Sequence, residues 1–510
     1  MDYKEDQLAA SGSDTDMQET DDWRRSADPE KAGDEEDTDS TGEQPAVAED
    51  EQAVTPASPA SPATPAAPTP SEIPDGGTRA WLQVLGAWVV MVETFGLVNT
   101  FGVYETYYET DLLVGKPGGS ATAIAWIGSL QVALLLIGGV VAGPLYDAGY
   151  VRQLIAVGLL LIVFGLFMTS LCTAYWQLIL AQGLTVGLGM GLSFTPSNAV
   201  LAQYFSKKRA LAIGISSSGS PLAGIAFPIL FSRVQAQPQL GAAWATRIIA
   251  FVLLGLATVP IVFMQPRVTA ATARSSSSSS KARRALVDTS AFSELPFVAM
   301  VVGSFFVFMC VFVPFFFIQL FGERRGIGDA AFSPFYLVTM LNVGSVFGRL
   351  LPNALALRYG SFNLLLVCSV VSAILLFGWM GIVSESAGAT ATVAAGDVGG
   401  TSSPYLAGTV VFALLYGLFS GGIVSLIASV IMGLTRDLSR VGTRMGMTFF
   451  MTGIACLIGP PIAGSILGDG FSNSKWMGMI GYGAASVTLG TAAYGVSRYS
   501  LWRGRKAIVA

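Results

Sequence analysis

Twelve times between residues 81 and 498 the chain passes through a long, predominantly apolar stretch. Each is near the roughly 19 residues that a helix needs to cross ~30 Å of hydrocarbon. A first group lies at 81–106, 122–146, 151–171, 175–200, 209–233 and 245–265. A second lies at 294–321, 332–356, 361–383, 405–433, 443–467 and 476–498. In lipid a segment must satisfy its own backbone hydrogen bonds, and a helix does so. Only 12% of the residues are charged, about half of the roughly 25% usual in soluble domains. The expected fold class is therefore an all-α membrane protein, with twelve transmembrane helices in two six-helix halves.

The polar segments divide the chain. Residues 1–74 are acidic and then Pro/Ala/Thr-rich, a composition with too little apolar surface to fold, so a disordered tail is expected. The first half is placed at 75–266 and the second at 293–498, joined by a linker at 267–292 with the Ser275–Ser280 run. Residues 499–510 form a basic C-terminal segment. Residues 1–80 hold 21 carboxylates and 5 Lys or Arg, a net of −16, whereas the rest carries a net of +11. The low overall pI thus describes neither part, and no nucleic-acid partner is read from it.

Loop charges set the orientation. With the N-terminus inside, segments after the first span place 17 Lys and Arg on the cytosolic side and 4 outside. An odd number of spans would mix the two groups. Both termini are expected in the cytosol, and the plasma membrane is the default location.

No histidine occurs anywhere, which removes Ser-His and Cys-His nucleophiles and histidine metal ligands together. Cys172, Cys310, Cys368 and Cys456 are scattered singly through apolar stretches, with no metal or disulfide spacing. No cofactor and no metal are expected, and an enzyme is disfavoured for want of a catalytic constellation.

A few polar side chains interrupt the spans. In the eighth, Asn342, Ser345 and Arg349 fall at i, i+3 and i+7, on one helix face. An arginine deep in an apolar span costs about 2.5–3.5 kcal/mol or more, so it should face a cavity or a partner. Its planar fork suits a carboxylate. A gate ion pair, or a guanidinium reaching the interface, is the plain alternative. Glu93 lies near the middle of the first span, where a carboxyl that loads and releases a proton competes with a structural hydrogen-bonding role. Asn99 and Asn198 are further candidates for a polar cavity. The seventh span is crowded with phenylalanines, and Pro314 and Gln319 interrupt it.

Gly143-Pro144-Leu145-Tyr146-Asp147-Ala148-Gly149, followed by Arg152, resembles the loop signature of the major facilitator superfamily. Tyr204-Phe205-Ser206-Lys207-Lys208-Arg209-Ala210-Leu211-Ala212, running on to Gly219-Ser220, resembles the fifth-span signature of its monocarboxylate transporter family. Asp75-Gly76-Gly77 before Trp81 resembles that family's entry to the first span more loosely, and Gly459-Pro460-Pro461-Ile462-Ala463-Gly464 in the eleventh span also resembles the family. These matches reach from residue 75 to 464.

The resemblance implies two parallel halves with a binding site between them. It also implies a cytosolic gate braced by Asp147, Gly149, Arg152, Lys207, Lys208 and Arg209, and a substrate carboxylate held by Arg349. Two departures stand out. Ser345 occupies the place where proton-coupled members carry an acid, and Val98-Asn99-Thr100-Phe101 lacks their lysine. The expected function is secondary transport of a small carboxylate-bearing organic solute by alternating access. Its partners are that anion, the lipid bilayer and, as a candidate, a proton. Alternatives are export of a fungal secondary metabolite or organic acid and, further off, a nutrient sensor on the same scaffold.

Overall fold

The computed structural model describes residues 75–206, 208–267, 288–327, 332–393, 405–435, 441–468 and 471–509. The expected tail, most of the linker, and Lys207 lie outside these residues. Among them the chain forms twelve rods and no strand. The first six are α1 (Thr78–Leu112), α2 (Ala121–Tyr146), α3 (Val151–Thr169), α4 (Tyr175–Tyr204), α5 (Leu211–Gln235) and α6 (Gly241–Phe263). The second six are α7 (Leu295–Arg324), α8 (Tyr336–Tyr359), α9 (Ser361–Val383), α10 (Tyr405–Leu434), α11 (Gly442–Leu467) and α12 (Asn473–Val509). Ten are apolar enough to span a bilayer on length and composition alone. In α8, Asn342, Arg349 and Asn353 dilute the hydropathy; in α12 the many glycines, threonines and tyrosines do so, and its arginines begin only at 498. The last helix continues through the basic segment that begins at 499. The first runs six residues past its expected end at 106.

Several rods are broken, and local sequence explains where. The helix of α1 is interrupted at Thr94, whose hydroxyl donates to Val90 O at 2.7 Å. In α7 the segments Leu295–Cys310 and Val313–Arg324 meet at Val311–Phe312. Pro314, having no N–H to give, opens the second segment, where no intrahelical donor is needed. A third break, at Ser218, divides α5.

Glycines set the closest approaches. A Cβ at Gly344 or Gly348 of α8 would strike the carbonyls of Leu414 or Leu418, and one at Gly417 of α10 would strike that of Leu341. Those helices therefore touch backbone to backbone, the close packing that replaces the hydrophobic effect in lipid. The first half uses the same device, with Gly158 against Gly189 and Gly138 against Gly191. Gly459 of α11 likewise lies on the Met309 carbonyl of α7.

The two halves meet along three seams: α2 with α11, α5 with α8, and α1 with α7. The last is confined to the end of the bundle remote from Thr78 and Val509, called here the far end. There Gly102 sits on the Phe315 carbonyl, the rings of Phe101 and Phe316 are 4.8 Å apart, and Arg324 Nη2 reaches Glu109 Oε1 at 3.2 Å.

At the terminal end Arg444 ties α11 to the residues before α7. Its Nε donates to Asp288 Oδ2 at 3.0 Å, and its two Nη atoms donate to Glu294 at 2.9 and 2.6 Å. Nearby, Asp75 accepts from the backbone N–H groups of Ser206 and Lys208 at 2.5 and 3.3 Å. The motifs before α1 and before α5 are thus joined.

Candidate functional site

A small chamber lies at the depth of the helix breaks, between α1, α7, α8 and α10. Phe312 and Phe315 give it an aromatic wall; Asn99, Ser345, Arg349 and Ser420 supply its polar groups. Its free space is about 10 Å³, room for roughly one water. The far-end seal is closed above it. The polar and aromatic side chains that line it are themselves buried, so a solute requires the walls to part.

Arg349 is 2% exposed. Its Nη1 donates to the Ser217 carbonyl at 3.0 Å, and its guanidinium lies 5.8 Å from the centre of the Phe95 ring. Ser217 precedes the break in α5, and Phe95 follows the break in α1. An arginine of the second half thus reaches two helices of the first. Its Nε has no hydrogen-bond partner. The plain alternative of a guanidinium snorkelling to the interface does not match this placement. Below it, Asn353 donates one amide group to both Arg349 O (2.7 Å) and Ser425 Oγ on α10 (2.9 Å), tethering that turn.

The structure brings only part of the expected set together. Asn99 lines the chamber with both ends of its buried amide unpartnered, and the Ser345 hydroxyl lines it likewise unpartnered. Such groups cost stability unless something bonds them. Asn342 is not on the chamber wall: its Nδ2 donates to Val338 O at 2.9 Å, and its side chain fills the space beside Gly224 at the α5–α8 seam. Asn198 is half-buried away from the chamber, with Nδ2 donating to Phe194 O at 3.0 Å. Glu93 is completely buried, and neither carboxyl oxygen has a partner. It ends the first segment of α1, six residues from Asn99, a rise of about 9 Å along the rod.

The expected gate residues spread over the terminal end. Asp147 ends the second helix, and Gly149 turns the chain at φ 99°, a region that favours glycine. Arg152 donates to Ile261 O at 3.2 Å, so it caps α6 within its own half. Lys208 is exposed, its N–H held by Asp75. Arg209 donates to Phe205 O and Ala202 O at 3.0 and 3.2 Å, satisfying the last carbonyls of α4. Its Nη1 also reaches Met432 Sδ of α10 at 3.7 Å. Burial lowers the pKa of this guanidinium, and Asp75 opposes that shift. Of this set, Arg209 has a contact that crosses between the halves.

Two groups escaped the sequence reading. Asn353 lies one turn beyond Arg349, and spacing from Arg349 alone would have found it. Glu105 and Glu109 are buried in the far part of α1; Glu105 falls at the very end of the expected span, where a polar residue reads as interfacial, and Glu109 falls beyond it.

Comparison with known proteins adds the following. The Major Facilitator Superfamily profile matches residues 80–399. The chain is 38% identical over 412 residues to the MFS-type transporter dbaD of Emericella nidulans, covering 81% of this chain and 84% of that one. It is 36% identical to the aspyridones efflux protein apdF of the same organism, covering 84% and 82%. Among solved structures, the nucleoside transporter NupG superposes with a TM-score of 0.57 at 15% identity, over 81% of this chain and 99% of that one. At that identity the likeness concerns fold alone.

Proposed function

The chain belongs to the major facilitator superfamily, and from that premise we propose that it carries a small organic acid through the bilayer by alternating access, as a member of the monocarboxylate transporter-like branch. One observation carries the choice of substrate. Arg349, enclosed at the seam between the halves, has a single backbone acceptor and an unpartnered Nε. A carboxylate entering the chamber offers two oxygens to the guanidinium fork and replaces the Ser217 carbonyl with a charge-assisted, bidentate pair. Asn99 and Ser345 supply further hydrogen bonds, and Phe312 and Phe315 receive an apolar or aromatic body. Asn342 and Asn198 act on this site through helix packing.

The loop-charge bias supports placing both termini and the 267–292 connection on the cytosolic side, with the plasma membrane as the location. Lys207, Lys208 and Arg209, with Asp147 and Arg152, would then border the cytosolic mouth. Glu93 is the candidate proton carrier of the first half. A Glu93→Gln variant whose rate and pH profile match the parent would remove it from that role.

A second reading, export of an acidic secondary metabolite, is favoured by the relative named as an efflux protein. The two readings share the chamber and differ in direction. Proteoliposomes loaded with labelled organic acids, with and without a pH gradient, test both. Carboxylates are expected to move, and their methyl esters and amides are expected not to. Equal flux of acid and ester would defeat the carboxylate assignment, and the favoured direction under a gradient separates uptake from export.

A further inference from the structure

The far part of α1 holds chemistry that the chamber does not use. Glu105 and Glu109 are four residues apart, so they share one face of the rod. Glu105 is completely buried, and neither of its oxygens has a hydrogen-bond partner. Glu109, 8% exposed, takes Arg324 of α7 at 3.2 Å. That ion pair lies over the seam where Gly102 and Phe101 meet Phe315 and Phe316, so it joins the two halves where the far end is closed.

The surrounding charges leave Glu105 without a counter-ion. On its own rod stand Glu109, Asp111 and three tyrosines, Tyr104, Tyr107 and Tyr108; Tyr108 donates to Gln182 of α4 at 2.5 Å. On α7, Glu323 accepts from Gln319 at 3.0 Å, Arg324 is held by Glu109, and Arg325 closes the helix. Arg233 of α5 donates to Tyr336 of α8 at 3.0 Å, and Arg247 of α6 donates to Ser170 at 3.0 Å. The helical segment Ala121–Ile137 of α2 contributes no titratable side chain. Among the described residues no cation comes within ion-pair reach of Glu105. Glu109 holds the guanidinium of Arg324, so Glu105, shut away from water one turn below it, cannot also stay charged.

We propose that Glu105 is a proton-binding site that controls the far-end seal, protonated while α1 and α7 are apposed and ionised when they part. This rests on the alternating-access reading but not on the identity of the solute. When water enters, the carboxyl of Glu105 breaks its O–H bond and passes the proton to a water molecule, leaving a carboxylate and hydronium. To close again, the ionised Glu105 would have to shed its water and enter the seam without a counter-ion, beside the carboxylate of Glu109, so the seal stays open until a proton returns. Opening is therefore favoured as the pH of the far-side solution rises.

The test uses full-length protein in lipid nanodiscs with spin labels at Val114→Cys and Lys475→Cys, exposed far-end positions of the two halves, in a Cys172→Ser background. Raising the pH from about 5 to about 8 is expected to increase the long-distance population by about tenfold. Glu105→Gln is expected to hold the short distance throughout, and Asp111→Asn to follow the parent. A Glu105→Gln protein that opens along the parent's pH course, or a parent with no pH response, overturns the proposal. The infrared amplitude of protonated carboxyl in the labelled parent does not depend on that variant folding. It should fall in step with label separation, and an unchanged amplitude while the labels move apart also overturns the proposal. Neither measurement uses a transported solute, so failure of the carboxylate assignment would leave both readings intact.

Discussion

Arg349 and Arg444 are both buried arginines of the second half, and their surroundings differ in kind. Arg444 is saturated: three hydrogen bonds to Asp288 and Glu294, with the Phe297 ring 5.2 Å away. Its partners are the end of the linker and the residue before α7, and they fix where α7 begins against α11. Arg349 has one carbonyl, one ring across the seam and an unpartnered nitrogen. A guanidinium whose hydrogen bonds are complete stabilises a fold; on the proposed function, one left incomplete at bilayer depth is held ready for a guest.

The largest effect expected from this contrast is on transport. Arg349→Ala should lower carboxylate flux in proteoliposomes by about 100-fold or more, while thermal unfolding in detergent shows stability equal to or above the parent. A loss of stability rivalling that of an Arg444 variant would break the comparison. Arg444→Ala should do the reverse. Removing one member of a buried ion pair costs about 3–5 kcal/mol, and the 44% exposure of Glu294 pulls this toward the lower figure. Flux per correctly folded molecule should survive.

Smaller changes sharpen the same contrast. Asn353→Ala removes the tether under Arg349 and is expected to cost about 1 kcal/mol, seen as a raised KM with little change in unfolding temperature. A stability loss alone would make Asn353 an ordinary packing residue. Glu294→Gln keeps a hydrogen-bond acceptor for Arg444 and leaves Asp288 in place. It should cost well under about 1 kcal/mol, as expected for a partly exposed pair.

Sequence carried the rods because lipid leaves so little choice: apolar length alone identifies ten of them, and alternation of loop charge bounds the number of crossings. It also carried Arg349, since an arginine in an apolar run announces its own cost. Partnership was less legible. Asn342 shares a helix face with Arg349, yet the gap beside Gly224, more than 100 residues away, takes its side chain instead. Nothing in the sequence around Arg444 announces that Asp288 and Glu294, 150 or more residues away, close around it. The loop motif marks Arg152, but no local pattern announces its hydrogen bond to Ile261 O, 109 residues away. The buried acids of α1 were missed for a local reason. Glu105 sits at the end of the expected span, where a carboxylate reads as facing the interface, and Glu109 with Asp111 lowers the hydropathy beyond 106, so the rod looks shorter than it is.

The backbone contact between α8 and α10 has a mechanical consequence. With Gly344 and Gly348 seated on Leu414 and Leu418, these two helices cannot slide or separate without losing contact along several turns. They form one plank. Arg349 on one edge and Ser420 on the other keep a fixed spacing whichever way the protein tilts, so a cargo held between them would travel with its berth and need not be handed from one set of contacts to another.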